Sequence, residues 1–334
     1  MAEFSSKIFN YKQEDFIFEI KEPGESEFDR LIIEKWKQAE DNNILRYKLV
    51  INKEKRLSGK YNFLMQLNLD RAQNRRTPEN ITSIKQPFDP TRFNFTKIPE
   101  EEIIIDLSNG QGNDVIAVNV SPFAYGHVLF LSDRLKCLPQ VLTKRSLAQI
   151  IQLFLLSKSP HLRAVFNGLC AYASVNHLHW HFYYLKHETL LEKIELECLA
   201  DQVYILKDYP ARGFCLKLSS FPDKNLENFV TKIFFIIEWL QNNEVAHNIA
   251  ITRAKSLGED FYDDVRVYIW ATKISTGIKD TSAFVPAVSE SFGLLCIRNK
   301  EAYETLTEEE VIKCLEEVTE PFHLLCPKLQ ALLN

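Results

Sequence analysis

Seven cysteines are scattered along this 334-residue chain, at 137, 170, 198, 215, 296, 314 and 326, and no two of them form a C-x-x-C. An odd, dispersed set indicates neither a disulfide framework nor a zinc ribbon, and it suits a reducing compartment. No apolar run is long enough to span a bilayer: "IIQLFLL" and "KIFFIIEWL" are the most apolar stretches. The opening residues, "MAEFSSKIFNYKQEDF", contain no basic segment followed by an apolar one, so no secretory leader is indicated. A soluble, cytoplasmic protein without a membrane partner is expected. Nor does one sign of charge dominate. A net charge of −5 and a pI near 6.0 give no field that would draw a nucleic-acid backbone onto the whole molecule. Apolar residues make up 46% of the chain, enough for sizeable cores in one large domain or two ordinary ones.

The periodicities read as α+β. Phe28, Leu31, Ile32 and Trp36 recur at helical spacing in "ESEFDRLIIEKWKQAEDNN". A polar, basic segment follows, its proline-rich end reading as ordered loop and short strands. "EIIIDLSN", "DVIAVNVSP" and "YGHVLFLSD" then read as strands, followed by a helix from 143 to about 157 and two more strands, one holding "AVFNG" and one "HLHWHFYYL". Residues 186 to about 212 read as a link to a second half. That half carries the long helix "NLENFVTKIFFIIEWLQNN", strands "AHNIAITR", "DVRVYIWAT" and "FGLLCIR", and a last helix opened by the capping signature "TEEE". The halves resemble each other faintly. Asn167 can be laid beside Asn248, the histidine strand beside Arg266, Tyr268 and Trp270, and "YGHVLFL" beside "FGLLCIR".

The chemistry concentrates in "SVNHLHWHFYYL", residues 174–185. On an extended strand His177, His179 and His181 share one face, while Leu178, Trp180 and Phe182 fill the other. Two chemistries want such a row, namely a metal that needs converging lone pairs and a phosphate that needs N–H donors and one nucleophilic nitrogen. Plain packing is the third reading. Upstream, His127 enters a strand after a glycine turn, and Asn167 and Ser174 stand shortly before the row. These are hydrogen-bonding groups suited to phosphate oxygens.

Taken with "QLNLDRAQNRRTPENITSIKQPFDPTRFNFTKI", "VNVSPFAYGHVLFLSDRLKCLPQ", "HNIAITR" and "GIKD", the row resembles the GDP-hexose phosphorylases of the histidine-triad superfamily over about residues 61–319. That family includes GDP-D-glucose phosphorylases and the plant GDP-L-galactose phosphorylases. The resemblance implies histidine-triad-like antiparallel sheets with packed helices, as a pseudo-duplicated pair with one active half. It divides the chain into an N-terminal helical extension (1–60), a catalytic unit (61–190) and a degenerate C-terminal unit (191–334). It also implies a nucleotidyltransferase, free of cofactor and metal, that converts GDP-D-glucose and inorganic phosphate to GDP and D-glucose 1-phosphate. His179 is then the nucleophile, forming a guanylyl-histidine. His177 and His181 flank it, and His127, Asn167 and Ser174 lie on the phosphate side. Arg71, Arg75, Arg76 and Asn94 are candidates for nucleotide contacts, and Phe93 and Phe95 for base stacking. His161, His187, His247 and His323 match no catalytic position.

Two alternatives stand beside this reading. One is the GDP-L-galactose enzyme, although the plant type has glutamine where His181 stands. The other is a metal-dependent hydrolase using the same histidines. The chain also departs from the family where Gly293-Leu294 replaces a Gly-His and where "STGIKD" replaces a more aromatic loop.

Overall fold

The computed structural model describes residues 6–277 and 283–333. In chain order the first half contains β1 (Lys7–Ile8), α1 (Glu27–Asp41), β2 (Lys53–Arg56), β3 (Leu64–Leu67), α2 (Leu69–Asn74), β4 (Ile103–Asp106), β5 (Val115–Val118), β6 (Tyr125–Leu131), α3 (Lys144–Leu155), β7 (Leu162–Asn167) and β8 (Trp180–Tyr184). The second half contains β9 (Glu197–Ala200), β10 (Val203–Ile205), β11 (Phe214–Lys217), α4 (Leu226–Asn242), β12 (Ala246–Ala254), β13 (Asp264–Thr272), α5 (Val288–Ser291), β14 (Leu294–Ile297), α6 (Lys300–Thr305), α7 (Glu308–Val318) and α8 (Phe322–Leu333). Side-chain caps set several helix starts. Ser26 and Asp29 form a reciprocal box ahead of α1, Thr143 caps α3, Asn225 caps α4, and Thr307 with Glu310 caps α7.

Among the described residues, eleven strands form one sheet in the order β1-β4-β5-β6-β8-β7-β12-β13-β11-β10-β9. All neighbours in it are antiparallel except β1 and β4. Outward from the β7–β12 seam each side runs in the same manner, through β8 and β6 or through β13 and β11. Helix α3 joins β6 to β7, and α4 joins β11 to β12. Phe28 and Trp36 of α1, Phe154 of α3, Ile233 of α4 and Leu329 of α8 pack on one sheet face, against Phe130, Trp180, Phe182, Ile249 and Val267. On the other face Val165, Tyr183, Tyr268 and Trp270 pack against β3, β14 and α7. No described helix is long and apolar enough to cross a membrane.

Three expectations need correction. Residues 186–212 are not a plain link, since they supply β9 and β10, the outer strands beyond β11, and bury Leu191, Leu206 and Tyr209. "FGLLCIR" is no counterpart of "YGHVLFL", because β14 leaves the large sheet and pairs in parallel with β3. Residues 1–60 are tied to the sheet. Asp29 of α1 is buried and accepts hydrogen bonds from Tyr184 Oη at 2.8 Å and the Lys158 N–H at 2.9 Å, which ties the helix to β8 and to the end of α3. Finally, the histidine strand is shorter than expected. Only His181 lies within β8, while the Leu178 and His179 amides leave the ladder to donate to Leu138 O and Gln140 Oε1. The alternation survives all the same, with Leu178, Trp180 and Phe182 in the helix-covered core. The "GIKD" block lies mostly outside the described residues.

Candidate active site

A glycine sets up the first histidine. Gly126 has φ of +62°, and a Cβ there would fall 2.7 Å from the Tyr184 ring, so a side chain is excluded twice over. The irregular pairing of β6 with β8 that results turns His127 inward, where it is fully buried. Its Nδ1 accepts the Phe123 N–H at 3.3 Å, so the proton of the neutral ring sits on Nε2, 3.0 Å from Nδ1 of His181. The amide nitrogen of Asn119, a donor because its Oδ1 accepts the Ser121 N–H at 3.0 Å, also lies 3.0 Å from that Nε2 and makes no hydrogen bond with it in this tautomer. His181 therefore accepts at Nδ1 and carries its own proton on Nε2.

His179 is held in the opposite tautomer. Its Nδ1 lies 2.7 Å from the carbonyl of His177 and donates to it, which leaves Nε2 as a bare lone pair with no protein partner among the described residues. Gln140, itself buried, clamps the backbone there. Its Oε1 accepts the His179 N–H at 2.8 Å, and its Nε2 donates to the carbonyls of His179 and Asn167, both at 3.0 Å. His177 is fully buried, accepting the Phe95 N–H at Nδ1 and donating from Nε2 to Arg134 O, each at 3.0 Å. Both of its nitrogens are taken up by loop backbone.

Burial pushes the pKa of His179 down to about 4, as it does that of His177, and it holds His127 and His181 well below the ordinary imidazole value. At neutral pH the four rings are uncharged. One therefore offers a lone pair and its neighbour an N–H.

His179 and His181 line a cleft of about 290 Å³. Asn167, Ser174, Arg71, Arg75 and Arg76 line it too, joined by Arg46, Arg298, Glu102 and Glu290, which the sequence did not single out. A chain of net charge −5 thus gathers five guanidinium groups and two carboxyls around its histidines. Arg71 donates to Ser121 O and lies over the Phe123 ring at 5.2 Å. Arg76 lies over the Phe93 ring at 3.6 Å, and burial followed by the charge of Arg46 lowers its pKa to about 10, so it stays cationic at neutral pH. Asn167 accepts the Val288 N–H at 3.1 Å, which leaves its amide NH2 as a donor beside the cleft.

Three candidates, His177, Asn94 and His127, lie outside the cleft lining. Asn94 is buried as the cap of a short turn, its Oδ1 accepting the Thr96 N–H at 3.1 Å and its Nδ2 donating to Arg92 O at 3.2 Å. Those bonds consume the groups that a nucleotide would need. His127 reaches the cleft only through His181. Among the described residues no three His, Cys, Asp or Glu side chains are placed to hold a metal ion.

Comparison with known proteins follows the same lines. Residues 27–183 match the family described as "GDPGP1-like, N-terminal domain", and residues 187–321 match "GDPGP1-like, C-terminal domain". The chain belongs to the GDPGP1-like family. It is 35% identical to human GDP-D-glucose phosphorylase 1, over 89% of this chain and 80% of that protein. It is 30% identical to GDP-L-galactose phosphorylase 2 of Arabidopsis thaliana, over 87% of this chain and 72% of that protein. The fold is also similar to that of yeast Ap4A phosphorylase Apa2 in complex with AMP, with a TM-score of 0.64 at 16% identity, covering 88% of this chain and 96% of that one.

Proposed function

We propose that the chain is a GDP-D-glucose phosphorylase acting through a guanylyl-histidine on His179. The observation that carries this is the bare Nε2 of His179 facing a cleft of five arginines. Nε2 attacks the α-phosphorus of GDP-glucose and displaces the bridging oxygen, and glucose 1-phosphate leaves. The Nε2–H of His181 hydrogen-bonds that oxygen as its charge grows. The charge developing on the His179 ring is met by the His177 carbonyl, which already accepts from Nδ1. An oxygen of inorganic phosphate then attacks the trapped phosphorus from the vacated side. The P–N bond breaks and GDP departs. Arginines around the cleft offset the charge of both anions, and the amide of Asn167 and the hydroxyl of Ser174 are further donors for phosphate oxygens.

The C-terminal half belongs to the same proposal, as a copy of the first that has lost its chemistry. The matching strand order about the β7–β12 seam supports it, as do the equivalent placements of α3 and α4. The divisions 1–60, 61–190 and 191–334 then mark an extension and two units sharing one sheet. Phosphate chemistry is favoured over a metal site because the imidazole nitrogens point at backbone and at one another rather than at a common centre.

Turnover of purified protein on GDP-, UDP- and ADP-sugars, with and without phosphate, is the test. GDP-glucose should be consumed only when phosphate is supplied, yielding GDP and glucose 1-phosphate. Preference for GDP-L-galactose would move the protein to the plant-type activity, and hydrolysis independent of phosphate would overturn the phosphorylase reading.

A further inference from the structure

We infer that Glu102 reads the guanine base, accepting hydrogen bonds from its N1–H and N2–H groups within the cleft that His179 and His181 line. This rests on the reading of the substrate as a GDP-sugar and names the residue that selects the base.

The two carboxyls of the cleft differ in what they are doing. Glu290 is buried and its Oε1 accepts the Cys296 N–H at 3.3 Å, so the backbone occupies it. The half-buried Glu102 lines the same cleft, and among the described residues its carboxylate receives no hydrogen bond and makes no ion pair. Burial raises its pKa and the nearby charges of Arg46 and Arg76 oppose the rise. A half-buried carboxylate without a donor is costly unless something supplies one.

The surroundings say what could supply it. Phe93 is 41% exposed and forms a flat apolar wall with Arg76 against its face, and Ile44, Ile98 and Val120 complete an apolar slot. Phe95 runs from there to His179, their ring centroids 5.0 Å apart. A planar purine fits such a slot by stacking. Among the bases, guanine offers two parallel donors on one edge, which suits a carboxylate. Its O6 and N7 acceptors suit a guanidinium such as those of Arg46 and Arg76. Adenine presents an acceptor, N1, where guanine presents a donor, and would set a lone pair against Glu102.

The test compares Glu102→Gln with the wild type for binding of GDP, IDP and ADP by calorimetry, alongside turnover of the matching glucose esters. IDP lacks the N2 amine. The wild type should favour GDP over ADP by about 100-fold or more and over IDP by about 10-fold. The variant should lose most of both preferences while its ADP affinity is kept or raised, which also shows that it is folded. Unchanged selectivity in Glu102→Gln would overturn this inference and leave the phosphorylase proposal standing. Selective binding that depends on Glu102, in a protein that turns over no GDP-sugar, would uphold it and defeat the phosphorylase proposal.

Discussion

Strands β8 and β13 lie one strand out from the central seam on either side, yet their polar side chains are in opposite conditions. In the second half the three residues that stand opposite the histidines each donate to a backbone carbonyl of the fold. Tyr268 Oη donates to Leu191 O at 2.6 Å, Trp270 Nε1 to Ala211 O at 3.0 Å, and Arg266 Nη1 to Ile194 O at 2.9 Å. Tyr268 and Trp270 stack at 17° in the core beneath β3 and β14. Arg266 is buried against backbone carbonyls and does not line the cleft. On the histidine side, one imidazole nitrogen of His179 and one of His181 are left over, and both rings line a cationic cleft. A fold turns a sheet into a site by leaving selected hydrogen-bonding groups spare next to space, and into a scaffold by turning such groups onto the backbone of its own core.

The strongest way to break this contrast is to remove the spare lone pair. His179→Ala should keep its fold and lose transfer activity by about four orders of magnitude or more, measured as GDP release, because no neighbouring group replaces the nucleophile. Next, His127→Ala should lower kcat by about 100-fold, since His181 loses the donor that fixes its tautomer and its Nε2–H is no longer enforced. Comparable loss in both variants would show that His127 does more than orient His181.

Acid should then separate the two sides. Folding lowers the pKa of His127, His177, His179 and His181, so below about 6.5 the unfolded chain binds more protons than the folded one. The stability they contribute is complete above that pH and is lost as pH falls toward about 4, where His179 and His177 titrate in the folded protein. Activity should hold from pH 8 to about 5.5 and fall below that, followed by kcat/KM with circular dichroism in the same buffers. An inflection near 6.5 without unfolding would mean that His179 is not buried as described. The smallest effect is expected in the scaffold. Tyr268→Phe should cost about 1–3 kcal/mol in denaturant unfolding, because the Leu191 carbonyl loses its short bond and keeps only Arg266 Nη1 at 3.4 Å, and should leave kcat unchanged.

Much of the site was legible because it is local. Three histidines at alternate positions, the Gly126–His127 turn and Asn167 ahead of a glycine carry their geometry within a few residues. Gly168 even records its environment, since a Cβ there would lie 2.5 Å from His247 O. What escaped was long-range. Glu102, Glu290, Arg46 and Arg298 reach the cleft from distant segments, and nothing local marks them as neighbours of His179. Gln140 was visible only as a polar residue after Leu138-Pro139, yet it holds the carbonyls of two segments at once. Strands β9 and β10 were hidden because they are short and lie toward the sheet's edge, and β9 begins with exposed Glu197 and Cys198, which reads as a link. Strand β14 was assigned to the wrong sheet because a strand's partner is not written in its own residues.

The contrast between the two strands comes down to how many groups in the chain can take a nucleotide. Enzyme incubated with GDP-glucose labelled at the α-phosphate, without acceptor phosphate, should retain one GMP per chain. The label should be labile to acid, stable to base as a phosphoramidate is, mapped to His179, and released as GDP when phosphate is added. Absence of label, label approaching two per chain, or label that persists in His179→Ala would contradict the account.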